Sequence, residues 1–437
     1  MRFFGKAFPV TAISVVMAVG APRTSSAATG PCDIYQAGGT PCVAAHSTVR
    51  ALYGAYAGSL YQVKRGSDST TKDIGVLSVG GLANSAAQDA FCAGTTCTIT
   101  ILYDQSGKGN NLTAAPAGGQ VKTPDLRVVA TAAKLSISGK SAYGMKFTGG
   151  MGYRDDKTSG IATGDDPESI YMVTSGVYFN NMCCFDYGNA ETNNLDEGAG
   201  TMEAVYFGNW LAQGKGSGKG PWMMADMENG LYARESYAVN TAEPSFTNDY
   251  VTGMVKGNSG NSWALKGGNA QAGALQTMYS GARPAGYHPM KKQGAIILGI
   301  GGDNSNWSQG IFYEGCMTSG FATDATDSAV QANIVAAKYG STTSIEGGEF
   351  RASPASIRYD PSTAMVAVDY SLQNARHILM QVVDLRGRVV ARLLDGGVSA
   401  GQHEATWDAK SAPPGMYALS MEIDGRMAWS GRIIVGR

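Results

Sequence analysis

The stretch Trp222-Met-Met-Ala-Asp-Met-Glu-Asn-Gly-Leu231 sets two carboxylates, Asp226 and Glu228, inside an otherwise apolar run. An extended backbone alternates its side chains between faces. The spacing therefore predicts Trp222, Met224, Asp226 and Glu228 on one face and Met223, Ala225 and Met227 on the other. Taking an acid out of water is costly unless a partner, a metal or a ligand compensates. Glycoside hydrolysis is a chemistry that uses such groups: a carboxylate beside the anomeric carbon, and a second acid to protonate the departing oxygen. An edge strand whose acids face water is the plain alternative. A third acid, Asp303, stands in Gly301-Gly302-Asp303-Asn304, after the predicted buried strand Ala295 to Ile300. Glycine lets backbone and ligand approach closely, so Asp303 can oppose Glu228 as a general acid. The same four residues also make an ordinary turn.

Cys183 and Cys184 are adjacent. Bonded to each other they form a strained, rigid, apolar sulfur plate suited to one face of a small sugar ring. The alternatives are two reduced core thiols or bonds to other cysteines. Trp210, Trp222, Trp307, Tyr187 and Tyr206 crowd these motifs, either to stack on a sugar or as core. The four histidines are scattered, and no nucleophile-elbow motif is present, so a Ser-His-Asp triad has no support. None of them forms a ligand motif with a cysteine pair, so no metal and no cofactor is expected.

Positioning these groups is work for a β-rich chain. Of 437 residues, 43% are hydrophobic, only 16% are charged and 59 are glycine, a balance that suits a turn-rich, all-β exported protein. Arg2 and Lys6, the apolar run Ala7 to Ala21 and the small residues Ser25 to Ala28 read as a signal peptide, 1–28. The whole chain carries a net charge of −1, and loss of a leader bearing Arg2, Lys6 and Arg23 leaves the rest more acidic. No basic field exists for nucleic acid. Cys32 with Cys42, and Cys92 with Cys97, look like local staples of an oxidising compartment, with Cys316 a buried free thiol. Short strands at Cys97 to Tyr103, Tyr143 to Phe147, Ser169 to Ser175, Met202 to Phe207, Pro221 to Glu228, Asn248 to Val255 and Ser262 to Lys266 imply a β-sandwich. Helices are expected within Ala44 to Tyr61, at Ala86 to Phe91 and at Asp324 to Tyr339. A polar connector, 341–356, precedes an all-β module, 357–437, in which Asp424-Gly425 marks a hairpin.

Pro31-Cys-Asp-Ile-Tyr35, the run Cys97 to Leu112, Cys183-Cys-Phe-Asp-Tyr-Gly-Asn-Ala-Glu-Thr192 and Trp222 to Leu231 resemble the catalytic domain of the α-L-arabinofuranosidase B family, glycoside hydrolase family 54. The resemblance covers 29–340. It implies a concanavalin-like β-sandwich, hydrolysis with retention, Glu228 as nucleophile and Asp303 as acid/base. It also implies arabinose contacts from Asp226, Asn229, Gly230 and Gly302, a vicinal Cys183–Cys184 disulfide, and a stacking tryptophan for which Trp210 is the nearest candidate. The partners implied are arabinose-containing plant polysaccharides. A non-catalytic, lectin-like arabinose-binding surface protein on the same sandwich is the alternative. Ile378 to Val390, His403 to Asp408, Pro413 to Tyr417 and Gly431 to Val435 resemble Ig-like C-terminal sorting domains of type IX secretion and flagellar hook-capping modules. That likeness implies outer-membrane secretion machinery as a partner, and a secreted or surface-attached protein.

Overall fold

The computed structural model describes residues 1, 29–211, 213–340 and 353–436, except 373–375, 385–387, 400 and 424–425. The predicted leader beyond Met1, most of the connector and the Asp424-Gly425 turn lie outside the described residues. The chain divides into two compact units, Met1–Ser341 and Thr342–Arg437.

The first unit stacks two antiparallel sheets. One has nine strands, with Gln309–Ser319 between Glu168–Ser175 and Lys140–Thr148 and with Cys42–Ser47 also paired to it. The other has ten, and its run Leu231–Tyr232, Trp222–Asp226, Glu203–Gly208, Asp186–Ala190, Ala295–Leu298 contains the functional motifs. Register fixes the faces. Tyr187 pairs with Val205 and Val205 with Ala225, and this row turns inward. Gly315 of the nine-stranded sheet lies against the Tyr187 ring, and Gly253 against Met223. Asp186, Tyr206 and Met224 form the next row, with Asp226 one pleat further on, so Asp186 and Asp226 both leave the sheet on the opposite face.

Three expectations change. The Ala44 to Tyr61 segment is not helical. Cys42–Ser47 is a fully buried strand on Gln309–Ser319, with the Ala45 N–H donating to the Asp104 carboxylate at 2.9 Å. Tertiary pairing overrides the helical preference of its alanines. The helix falls at Pro31–Ala37 instead, with proline in its first turn and Cys32 bonded to Cys42. The connector ends earlier than expected, because Ser353–Asp360 is a strand paired to Met365–Leu372. The third change concerns Glu228. Cys92 and Cys97 are bonded, and Cys316 is a buried free thiol. The helix Asp324–Ala336 is capped by Thr323, and its Asp327 meets Lys256 and Lys266 at 2.6 and 2.7 Å.

The second unit has a three-stranded and a four-stranded antiparallel sheet around a core that includes Val368, Met380, Trp407, Tyr417 and Leu419.

Glu314, on the strand that follows the Asp303 loop, is fully buried and meets Arg50 through two 2.6 Å contacts. Tyr339 OH also donates to it, at 2.7 Å, and Arg50 Nη1 reaches Asn333 of the helix. Removing one partner leaves an unpaired buried charge. Glu314→Ala should therefore cost about 3–5 kcal/mol, read as a lower urea midpoint for the first unit.

Candidate active site

The strand Trp222–Asp226 stops at Asp226, so Glu228 does not continue its alternation. Met227 N–H donates to Gly230 O at 3.1 Å, closing a turn in which Glu228 and Asn229 take φ of 60° and 57°. Left-handed backbone is unfavourable for a side-chain-bearing residue and persists where the surroundings impose it. Here Tyr287 OH donates to Glu228 O at 3.0 Å, and Glu228 N–H donates to Asp226 Oδ1 at 3.2 Å. The turn swings Glu228 into the same cavity as Asp226, by a route that strand periodicity does not provide.

The opposite wall comes from Gly301 to Ser305. Gly301 N–H donates to Ser305 O, and Ser305 N–H donates to Asp303 Oδ1, both at 3.0 Å, which aims the Asp303 carboxyl. Cys183 and Cys184 are bonded to each other. Cys184 N–H donates to Ser305 O at 3.3 Å, and Cys184 Sγ lies 3.4 Å from Asp226 Oδ2. Together with Gln213 and Leu231 these residues enclose a cavity of about 160 Å³, in which Asp226, Glu228 and Asp303 converge. Asn229, Gly230 and Gly302 line it as well. Trp210 does not. It packs against the apolar cluster beyond the end of Glu203–Gly208, where Asn209 N–H is tied to Asn180 O. Gln213 lines the cavity, its Oε1 accepting from Leu231 N–H at 2.7 Å. Trp222, Tyr187 and Tyr206 are fully buried core; Trp307 is half exposed, its N–H donating to Cys183 O.

Two further acids stand behind the lining. Asp186, fully buried, meets no N–H or O–H donor among the described residues. Burial first, then the adjacent Asp226, push its pKa well above the carboxylate range, which favours a neutral form able to donate to Asp226. Glu191, just past the strand Asp186–Ala190, is also fully buried, with Oε1 against Thr201 Oγ1. Arg154 ties these parts together: Nη1 donates to Gly302 O at 3.0 Å, and Nη2 to Glu191 O. Burial raises Asp226 to about 7. Burial, then the charges of Glu191, Asp226, Asp303 and Asp196, raise Glu228 to about 11. Sequence reading did not single out Gln213, Leu231, Gly301, Ser305, Asp186 or Glu191 as site residues. The last two are in the Cys183–Thr192 run, where acids between apolar neighbours were the available signal.

Three acids converging over a disulfide in a sugar-sized cavity is the equipment of a glycosidase. The sequence profile of the family described as α-L-arabinofuranosidase B, catalytic, matches residues 31–340. This chain belongs to that family. It is 54% identical over 375 residues to the probable α-L-arabinofuranosidase B of Aspergillus fumigatus, which covers 84% of this chain and 74% of that relative. Two solved structures are each 50% identical to it, with a TM-score of 0.71 and 82% of this chain covered. One is a family 54 α-L-arabinofuranosidase with a Glu-to-Gln mutation, soaked with 4-nitrophenyl α-L-arabinofuranoside (75% of that chain). The other is an arabinofuranosidase in complex with arabinofuranosyl-α-1,2-xylobiose (76% of that chain). The chain is thus a glycoside hydrolase, and the lectin-like reading is set aside.

In this arabinofuranosidase Gly302 is a position where one methyl group matters. A Cβ there would overlap Glu191 Oε2 and sit 2.9 Å from Glu228 Oε2. Gly302→Ala should lower kcat/KM on an aryl α-L-arabinofuranoside by about a hundredfold or more, the scale of a misplaced reacting group. The melting temperature should fall far less in proportion, as differential scanning calorimetry can check.

Proposed function

We propose that the enzyme removes terminal α-L-arabinofuranosyl groups from side chains of arabinoxylan and arabinan by double displacement, with Glu228 as nucleophile and Asp303 as acid/base. The observation that carries this reading is the convergence of Glu228 and Asp303 in one cavity of about 160 Å³. Ionised Glu228 attacks the anomeric carbon while Asp303 gives its proton to the departing oxygen, and a glycosyl ester forms on Glu228. Asp303, now a base, takes a proton from water, which attacks the same carbon and releases arabinose with its configuration retained. In this reading Asp226, Asn229 and the backbone at Gly230 and Gly302, which line the cavity, hold ring hydroxyls, and the Cys183–Cys184 bond serves as an apolar floor for the ring.

Two substitutions test the roles. Glu228→Gln should lower kcat by about 10⁴-fold or more on every substrate, because no ester can form. Asp303→Asn should depend on the leaving group: a loss of about 10²–10⁴-fold on arabinoxylan oligosaccharides, which need protonation, and a much smaller loss in the ester-forming step with 4-nitrophenolate. A first-formed product that is the β-anomer, followed by NMR, would overturn the double displacement.

The C-terminal unit is read as a sorting module that delivers the hydrolase across an outer membrane and leaves it secreted or surface-held. The Ile378 to Val390 and Gly431 to Val435 motifs support this, as does the module's separate core. Deleting residues 342–437 should leave turnover of a small aryl arabinofuranoside at the full-length rate, while the protein stays inside the cell envelope on fractionation. Turnover lost in soluble, folded truncated protein would contradict the reading.

A further inference from the structure

Glu228 is useful as a nucleophile only when ionised, yet it lies among Glu191, Asp226, Asp303 and Asp196, all of the same sign. A bare carboxylate in such company is unfavourable by burial and by repulsion together. The site therefore needs a place where the displaced proton can stay close without blocking the sugar.

Glu191 has that geometry. Its side chain is fully buried behind Gly302, outside the cavity lining. Its backbone carbonyl is held by Arg154 and its Oε1 by Thr201, whose hydroxyl also lies 2.6 Å from Gly198 O. Its Oε2 meets no N–H or O–H donor among the described residues and faces Glu228 Oε2 across the missing side chain of Gly302. A Cβ built on Gly302 would touch both oxygens, so the two carboxyl groups are near neighbours, and two bare carboxylates there would repel each other. A carboxylic acid facing a carboxylate does not.

Resting on the assignment of Glu228 as nucleophile, we propose that Glu191 is a positioning residue that takes over the Glu228 proton and then, as a neutral acid, holds the ionised Glu228 by a hydrogen bond from Oε2. The Glu228 O–H bond breaks as the Glu191 O–H bond forms, and the pair keeps one proton and one negative charge throughout. The two groups titrate as a pair, so the acid limb of kcat/KM reports the first ionisation of the dyad. The other charges around the dyad are Asp226, itself hydrogen-bonded by Asp186, then Asp303 and Asp196, and the guanidinium of Arg154 behind Glu191.

The test compares Glu191→Gln and Glu191→Leu in the full-length enzyme, with pH profiles of kcat/KM on 4-nitrophenyl α-L-arabinofuranoside. The amide keeps a neutral donor, so Glu191→Gln should lower kcat/KM by about tenfold and leave the acid limb within about half a unit of wild type. Glu191→Leu removes the donor and should move that limb up by about one to two units, the worth of a hydrogen bond to a charged group. In the infrared spectrum at the optimum pH, Glu191→Gln should lose one protonated-carboxyl band, a readout that does not depend on the leucine variant folding. An acid limb that moves down by a unit or more in Glu191→Gln would show that Glu191 stays anionic when Glu228 ionises and overturn the proposal, as would unmoved limbs in folded Glu191→Leu or an unchanged carboxyl band. Retained activity in Glu228→Gln would instead overturn the underlying assignment of the nucleophile, a separate failure.

Discussion

The structure depends on keeping several carboxyl groups dry and close together. Asp186, Glu191, Asp226 and Glu228 are all buried around one cavity, with Asp303 at its edge. Each would prefer water, and each repels the rest when ionised. A fold tolerates this only if some of the acids stay protonated and hydrogen-bond the others. Neutral Asp186 serves Asp226 in that way, and the pattern explains why acids outnumber the roles that two-carboxylate chemistry requires.

Such crowding needs a rigid frame, and the frame is a sheet whose register leaves no slack. Asp186 and Asp226 are on strands separated by Glu203–Gly208, and the pairing of Tyr206 with both Asp186 and Met224 fixes which face they leave from. A slip of one residue would turn Asp226 into the apolar interior beside Met223. The irregular parts are held by polar contacts. Arg154 grips Gly302 and Glu191, Ser305 ties the Asp303 loop to the disulfide, and Tyr287 secures the turn at Glu228.

Much of this could be read in the sequence. The β-branched and alternating runs located strands such as Cys97–Leu102, Glu168–Ser175 and Glu203–Gly208 to within a few residues but not the central strand Gln309–Ser319, and the Cys32–Cys42 and Cys92–Cys97 spacings gave their bonds. The acids Asp226, Glu228 and Asp303 stood out because apolar or glycine neighbours surround them. What failed has physical causes. Ala44 and Ala45 read as helical because local propensity cannot register a partner strand more than 250 residues away. Glu228 was placed on a strand face because periodicity says nothing of a left-handed turn that tertiary hydrogen bonds impose. Trp210 was the nearest candidate for the stacking tryptophan that the family resemblance implies, whereas the cavity is lined by Gln213, bonded to Leu231. Glu191 passed unnoticed because its importance comes from Gly302, 111 residues further on.

The role of Gly302 shows how far a missing side chain can organise chemistry. A glycine is usually explained by the backbone angle it permits, but here the need is for empty space of one methyl's size. That space lets a buried acid outside the cavity reach the nucleophile inside it, while keeping the acid out of the sugar's way. A neutral furanose brings no charge of its own to relieve the carboxylates. Relief must come from protons already in the wall, and the wall must be thin where they pass. A disulfide floor fits the same constraint, since it has no proton to exchange and its sulfurs ask for no hydrogen bond from the ring they support.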